Sequence, residues 1–175
     1  KRQVRIRSQL RDAPMLHGEI RSTQKDESGA RLYAGTLSSR MPIKQMNRKV
    51  EDALLRWAEP FTAIAWTLGA DHPQAALREI WRNLLANHAH DSIAGSGIDQ
   101  VHRDVMARFT QCQLLADELT RRSLSHLAAR VHEPQVDPQD ILIAVFNPLP
   151  FPRDEVLRLD IDVPESDASD LRLCD

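Results

Sequence analysis

From Ile43 onward, apolar residues recur at steps of three and four: Ile43, Met46, Val50, Leu54, Trp57, Phe61, Ile64 and Leu68. That spacing matches the helical repeat, so it predicts an amphipathic helix with one buried stripe. Pro60 falls inside the stripe, lacks a backbone donor, and should kink or divide the helix. Gly69 should end it, after which Asp71 offers an N-cap with Pro73 tolerated in the first turn. Leu77, Ile80, Trp81, Leu84 and Leu85 predict a second, shorter helix. Beyond a break from Asn87 to Gly97, a third stripe runs through Ile98, Val101, Val105, Phe109, Cys112, Leu115, Leu119, Ser123 and Leu127. It predicts a helix of about nine turns. Three such helices joined by short turns bury their stripes against one another, and an antiparallel three-helix bundle is the economical expectation.

Both flanks change period. Val4-Arg5-Ile6-Arg7 alternates like a strand, Lys25 to Gly29 reads as a polar turn, and Gly18, Gly29 and Gly35 punctuate a stretch with no core of its own. On the other side, Ile141 to Phe146 is a short apolar run ended by Asn147-Pro148. Leu157, Leu159, Ile161 and Val163 then alternate with charged residues, as in a strand with one wet face. The expected fold class is therefore all-α, with short β segments at both ends. Three segments follow: 1–42 as the tail of a preceding domain, 43–133 as the helical domain, and 134–175 as a linker and the first strands of a sheet.

Charge follows the same division. Residues 1–50 hold twelve Lys/Arg against four Asp/Glu, residues 51–133 eight against eleven, and residues 134–175 three against ten. Such a gradient points to segments with different surroundings. With 42% hydrophobic residues and a net charge of −2, general disorder is excluded. No apolar run approaches the ~18 residues of a membrane span. Cys112 and Cys174 cannot form a disulfide framework, which favours a reducing compartment. The chain starts at Lys1 with no initiator Met, signal or transit pattern and ends in a strand-like Leu171 to Asp175, so we expect a piece of a longer protein.

Candidate chemistry concentrates in Asn87-His88-Ala89-His90-Asp91-Ser92-Ile93-Ala94-Gly95. Imidazole and carboxylate are suitable ligands for a divalent metal, and two His one residue apart point the same way on extended backbone. The plain alternative is that Asp91 or Ser92 caps a helix and the imidazoles are ordinary loop groups. At most three ligands come from this stretch, so a complete site would draw on residues outside the chain. His102, His126 and His132 read as surface or helix-end residues, and Trp57, Trp66 and Trp81 as core. Asp99 and Asp104 suit the positive end of the long helix. No phosphate loop, nucleophile elbow or paired-cysteine zinc motif is present. The basic start (Lys1, Arg2, Arg5, Arg7, Arg11) has no interleaved aromatics and reads as a solvated face.

Gly35-Thr36-Leu37-Ser38-Ser39-Arg40, Lys44, Asn47-Arg48, Asn87 to Gly95 with Ile98-Asp99 and Val101-His102, and Val145-Phe146-Asn147-Pro148 together resemble glycoside hydrolase family 38 alpha-mannosidases. Their order matches the end of the catalytic domain, the helical middle domain and the entry to the C-terminal β-sandwich. The resemblance implies a retaining enzyme that removes terminal alpha-D-mannosyl groups with a divalent metal, usually zinc. It implies that His90 is a metal ligand and that Asp91 contacts the bound mannose or the metal's surroundings. Ala89 stands where the animal pattern has a first His, with His88 one place earlier, and Pro42 stands where an aromatic is common. A retaining glycosidase needs two carboxyl groups about 5–5.5 Å apart, and the chain presents no such pair. The resemblance assigns the nucleophile and remaining ligands to the upstream catalytic domain, so no catalytic residue is expected in this chain, and on its own it should be inactive.

The partners implied are an alpha-mannoside substrate and the enzyme's own catalytic and β-sandwich domains, with no nucleic acid and no membrane; a homo-oligomer is compatible with all of this. Many Arg and Ala residues and the lack of an Asn-x-Ser/Thr acceptor give the sequence a bacterial, cytoplasmic character. The alternative is a non-catalytic helical interaction module whose apolar stripe docks a partner helix. A nucleic-acid-binding bundle using the basic start is the third reading, and it predicts steeply salt-dependent binding.

Overall fold

Residues 41–67 form one helical run with a defect in its middle. α1 spans Met41–Asp52, a single π-helical turn spans Ala53–Ala58, and α2 spans Glu59–Thr67. The structure, a computed structural model, describes residues 34–131 and 141–162. The chain divides into two compact units, Lys1–Ala144 and Val145–Asp175.

The π turn changes which residues face inward. The Glu59 N–H bonds the Leu54 carbonyl, an i→i−5 closure that adds one residue to the turn. As far as Leu54, at the start of the turn, the predicted stripe is buried at Ile43, Val50 and Leu54. Beyond it the inner face slips forward by one residue, to Ala58, Thr62 and Ala65, while Phe61 stays inside. Ile64 and Leu68, expected on the stripe, are exposed. Pro60 does not divide the run, because the widened turn directly before it accommodates the ring and the missing donor.

Gly69 ends the run as expected. Its φ of 90° carries a Schellman closure in which Gly69 N–H bonds the Trp66 carbonyl and Ala70 N–H the Ala65 carbonyl. Asp71 is not the next cap. α3 spans Gln74–Asn87 with Pro73 at the cap position, and no side-chain cap bond forms because the proline ring carries no acceptor. α4 (His90–Ala94) is a five-residue helix inside the predicted break, and α5 spans Asp99–Ala128.

All three long stretches feed one core. Val50, Leu54, Ile80, Leu84, Val105 and Phe109 are fully buried in it, each large side chain contributing roughly 1.5–3 kcal/mol. Cys112 is buried there too, and burial pushes its thiol pKa up, with the Glu79 charge adding to the effect. Arg40 meets Asp99 and His126 meets the Leu68 carbonyl, so 41–67 and α5 run the same way. Asn87 meets Val105 and Cys112 meets Ile80, so α3 runs opposite to α5. On α5 the inner face is His102, Val105, Phe109, Cys112, Ala116, Leu119, Ser123 and Leu127. His102 is thus buried rather than on the surface, whereas Ile98, Val101 and Leu115 are exposed. Trp66 is exposed too, and Trp57 and Trp81 are half-buried.

No strand forms within 141–162, although apolar and polar residues alternate there. Alternation supplies a face but not the neighbouring backbone that a ladder requires. In the second unit, the Asn147 side chain accepts from Leu149 N–H at 3.1 Å and donates to the Phe151 carbonyl at 2.7 Å, closing a turn around Pro148 and Pro150. Val4 to Arg7, Lys25 to Gly29, His132, Val163 and Cys174 lie outside the described residues. No helix among the described residues is long and apolar enough to cross a membrane.

Candidate functional site

The corner between α3 and α5 is built on a buried amide. Asn87, the last residue of α3, donates through Nδ2 to the Val105 carbonyl at 3.0 Å and accepts from Arg108 Nε at 2.7 Å. Its polar atoms are satisfied, so its complete burial carries no orphaned group. Ala89 then takes an extended conformation and its carbonyl accepts from Ser92 N–H at 2.9 Å and Ile93 N–H at 3.0 Å, which starts α4. Gly95, with φ of 84°, stops that helix after five residues by a second Schellman closure, Ser96 N–H to the Asp91 carbonyl and Gly95 N–H to the Ser92 carbonyl.

This short helix separates the two imidazoles. His88 is half-buried and turned toward α1, with Nε2 2.6 Å from Asn47 Oδ1 and 3.7 Å from Glu51 Oε1. His90 projects outward with its side chain 94% exposed. Convergence of the pair required extended backbone through His90, and the backbone is helical there. Nor do Asp91 or Ser92 cap α4: Ala89 holds the cap position without a side-chain bond, and Asp91 lies in the first turn, where its charge suits the helix dipole.

His90 and Asp91 remain together. His90 Nε2 lies 3.4 Å from Asp91 Oδ2, and Ser96 Oγ donates to Asp91 Oδ1 at 3.0 Å. One carboxylate oxygen is thereby held while the other faces the exposed ring. Beneath them, Lys44 Nζ donates to the carbonyls of Ser39 and Ala94, and Arg40 reaches the Gly95 carbonyl and Asp99. Burial lowers the Lys44 pKa, and Arg40, by hydrogen bond and by charge, holds the Asp99 carboxyl below its usual range. His102 Nε2 bonds the Gly97 carbonyl at 2.9 Å, and its buried Nδ1 has no partner among the described residues.

An exposed imidazole beside a carboxylate offers two donors, and a zinc site needs three or four. Among the described residues no group of three or more His, Cys, Asp or Glu gathers to hold a metal ion. This corner fits completion of a site walled by other residues, not construction of one. Of the other candidates, Asp99 is ion-paired, Trp57 stacks on Phe61 at 5.6 Å and Trp81 Nε1 donates to Glu59 at 2.7 Å. The basic start lies outside the described residues. Sequence reasoning gave no role to Asn87, Arg40, Lys44 or a buried His102. All four lie within the motifs that carry the resemblance, and for Asn87 a polar residue three places after Leu84 on the inner stripe was a further signal.

Residues 31–127 match the family described as alpha mannosidase middle domain. The chain is 27% identical over 130 residues to the "Putative mannosylglycerate hydrolase" of Halalkalibacterium halodurans, covering 74% of this chain and 14% of that protein. It is 33% identical over 130 residues to mouse (Mus musculus) alpha-mannosidase 2C1, covering 73% of this chain and 12% of that protein. A solved structure of a glycosyl hydrolase family 38 protein from Enterococcus faecalis superposes with a TM-score of 0.53 at 36% identity, over 57% of this chain and 12% of that one. The chain therefore spans only 12% to 14% of the length of these relatives.

Proposed function

We propose a function from one premise: the chain belongs to the alpha mannosidase middle domain family, within glycoside hydrolase family 38. In this reading it is the helical middle domain of a metal-dependent retaining alpha-mannosidase acting on terminal alpha-D-mannosyl groups. Its three long helical stretches act as an antiparallel three-helix bundle over 43–133, with 1–42 the tail of the catalytic domain and 134–175 the entry to a β-sandwich. His90 supplies one ligand to a divalent metal, most simply zinc, and Asp91 meets the mannose or the metal's surroundings. The parent enzyme works in the bacterial cytoplasm.

The observation that supports this most is the contrast between neighbours. Asn87 and His88 are tied into the fold, while the His90 ring stands in solvent on a corner held from several sides. A ligand on a pre-ordered scaffold loses little conformational freedom when it binds. When bound, the metal supplies Lewis-acid orientation of the sugar hydroxyls. The chain's own part is to present an imidazole nitrogen and to hold the Asp91 carboxylate beside it through Ser96. The nucleophile and the general acid/base belong to the catalytic domain, so the isolated chain is inactive.

The test is His90→Ala in the whole enzyme, read by zinc content and by hydrolysis of an aryl alpha-mannoside. Both fall if His90 is a ligand. Unchanged zinc and activity would overturn the assignment and favour the interaction module, and hydrolysis by the isolated chain would overturn its inactivity.

A further inference from the structure

α4 cannot account for its own order. A helix leaves its last four carbonyls without intrahelical partners, and in a five-residue helix that is most of them. Isolated helices below about 12–15 residues are marginal in water. Yet α4 carries both candidate site residues, so something outside it must fix its orientation.

That support comes from a distant part of the chain. Lys44 Nζ donates to the Ala94 carbonyl at 3.1 Å across 50 residues of sequence, and also to the Ser39 carbonyl. Arg40 Nε donates to the Gly95 carbonyl at 3.3 Å across 55 residues, and its other arm pairs with Asp99 at 2.6 Å. Two cations thus meet the carbonyl end of α4, where the helix dipole is negative. The fit is close: a Cβ on Gly95 would lie 3.2 Å from Ser39 Oγ and 3.3 Å from Arg40 Cβ. Arg40 itself sits in the left-handed region, φ 48° and ψ 52°, which a residue with a Cβ rarely adopts. Its bonds to Gly95 and Asp99 accompany that conformation, and strained backbone of this kind clusters at functional sites.

We propose that Arg40 and Lys44 are positioning residues, a cationic clamp that holds the C-terminal end of α4 so that His90 and Asp91 are presented in one orientation. The proposal rests on the reading of His90 as a metal ligand. Neither cation touches metal or substrate; each acts through backbone carbonyls.

In the whole enzyme, Lys44→Met, Arg40→Gln and the double variant are compared with Lys44→Arg, which keeps the charge. The readouts are amide hydrogen exchange in the metal-stripped protein and zinc affinity by chelator competition. Exchange should quicken selectively at residues 92–96, zinc affinity should fall about 10–100-fold, as for other groups that orient a ligand, and Lys44→Arg should recover part of both. Unchanged exchange at 92–96 in the double variant would overturn the proposal, as would a loss of protection spread evenly over α3 and α5. If the double variant does not fold, Asp99→Asn releases Arg40 from the solvent side and is judged by the same readouts. His90→Ala separates the two ideas. Zinc loss in His90→Ala beside unchanged affinity in the double variant overturns the clamp alone, whereas unchanged zinc in His90→Ala overturns the ligand reading beneath it.

Discussion

The Asn87 side chain donates to the Val105 carbonyl at 3.0 Å, joining the last residue of α3 to the early turns of α5. Arg108 completes the arrangement by donating to Asn87 Oδ1 at 2.7 Å. The loop that carries His90 therefore leaves α3 from a fixed point inside the core.

Asn87→Leu should cost stability. It keeps the branched shape of the side chain but strands the Arg108 donor and removes the Val105 carbonyl's side-chain partner, a loss of about 1–3 kcal/mol. Denaturant unfolding should show a lower midpoint with an unchanged slope. A midpoint equal to the parent's would mean the two bonds contribute nothing net.

Gly95→Ala should strain the corner itself. The backbone there has φ of 84°, and the added Cβ would meet Ser39 and Arg40 at 3.2 and 3.3 Å. The left-handed conformation alone costs roughly 1–2 kcal/mol for a residue with a Cβ. We expect a lower thermal midpoint together with faster amide exchange at 92–96. An unaltered melting curve would contradict the geometry.

Asp99 should titrate below an ordinary carboxyl because Arg40 bonds and attracts its charged form. A depressed folded pKa stabilises the fold above the unfolded value of about 3.9 and loses that contribution as the pH falls through the lower folded value. The side chains are well exposed, so added salt should weaken the effect. Carbonyl-carbon NMR of Asp99 should give a midpoint under about 3.9 that rises in Arg40→Gln. A midpoint unmoved by that substitution would show that the pair does not persist in solution.

The helices over 41–67, 74–87 and 99–128 were legible because their cause is local. A repeat of 3.6 residues and a glycine stop at Gly69 are written in neighbouring letters. The one-residue slip after Leu54 was not legible, since the i→i−5 closure ahead of Pro60 follows from how the run packs and accommodates its proline. That slip put Thr62 and Ala65 inside and left Ile64 and Leu68 outside. The same limit hid the inward turn of His102, whose position on α5 differs by one residue from the predicted stripe.

At the candidate site, the letters His88-Ala89-His90-Asp91 named the chemistry and the family resemblance singled out His90 and Asp91. They did not separate a histidine bound to Asn47 from one standing free in solvent, because that depends on where α4 begins. Arg40 and Lys44 were visible only as members of the motifs that carry the resemblance, with no role attached to either. Their partners are the carbonyls of Ala94 and Gly95, and every peptide carbonyl is alike in sequence. Composition and periodicity determined that this chain makes long amphipathic helices around a short His-Asp turn; only the folded chain, by bringing residues some fifty positions apart into hydrogen-bond range, decided which way that turn faces.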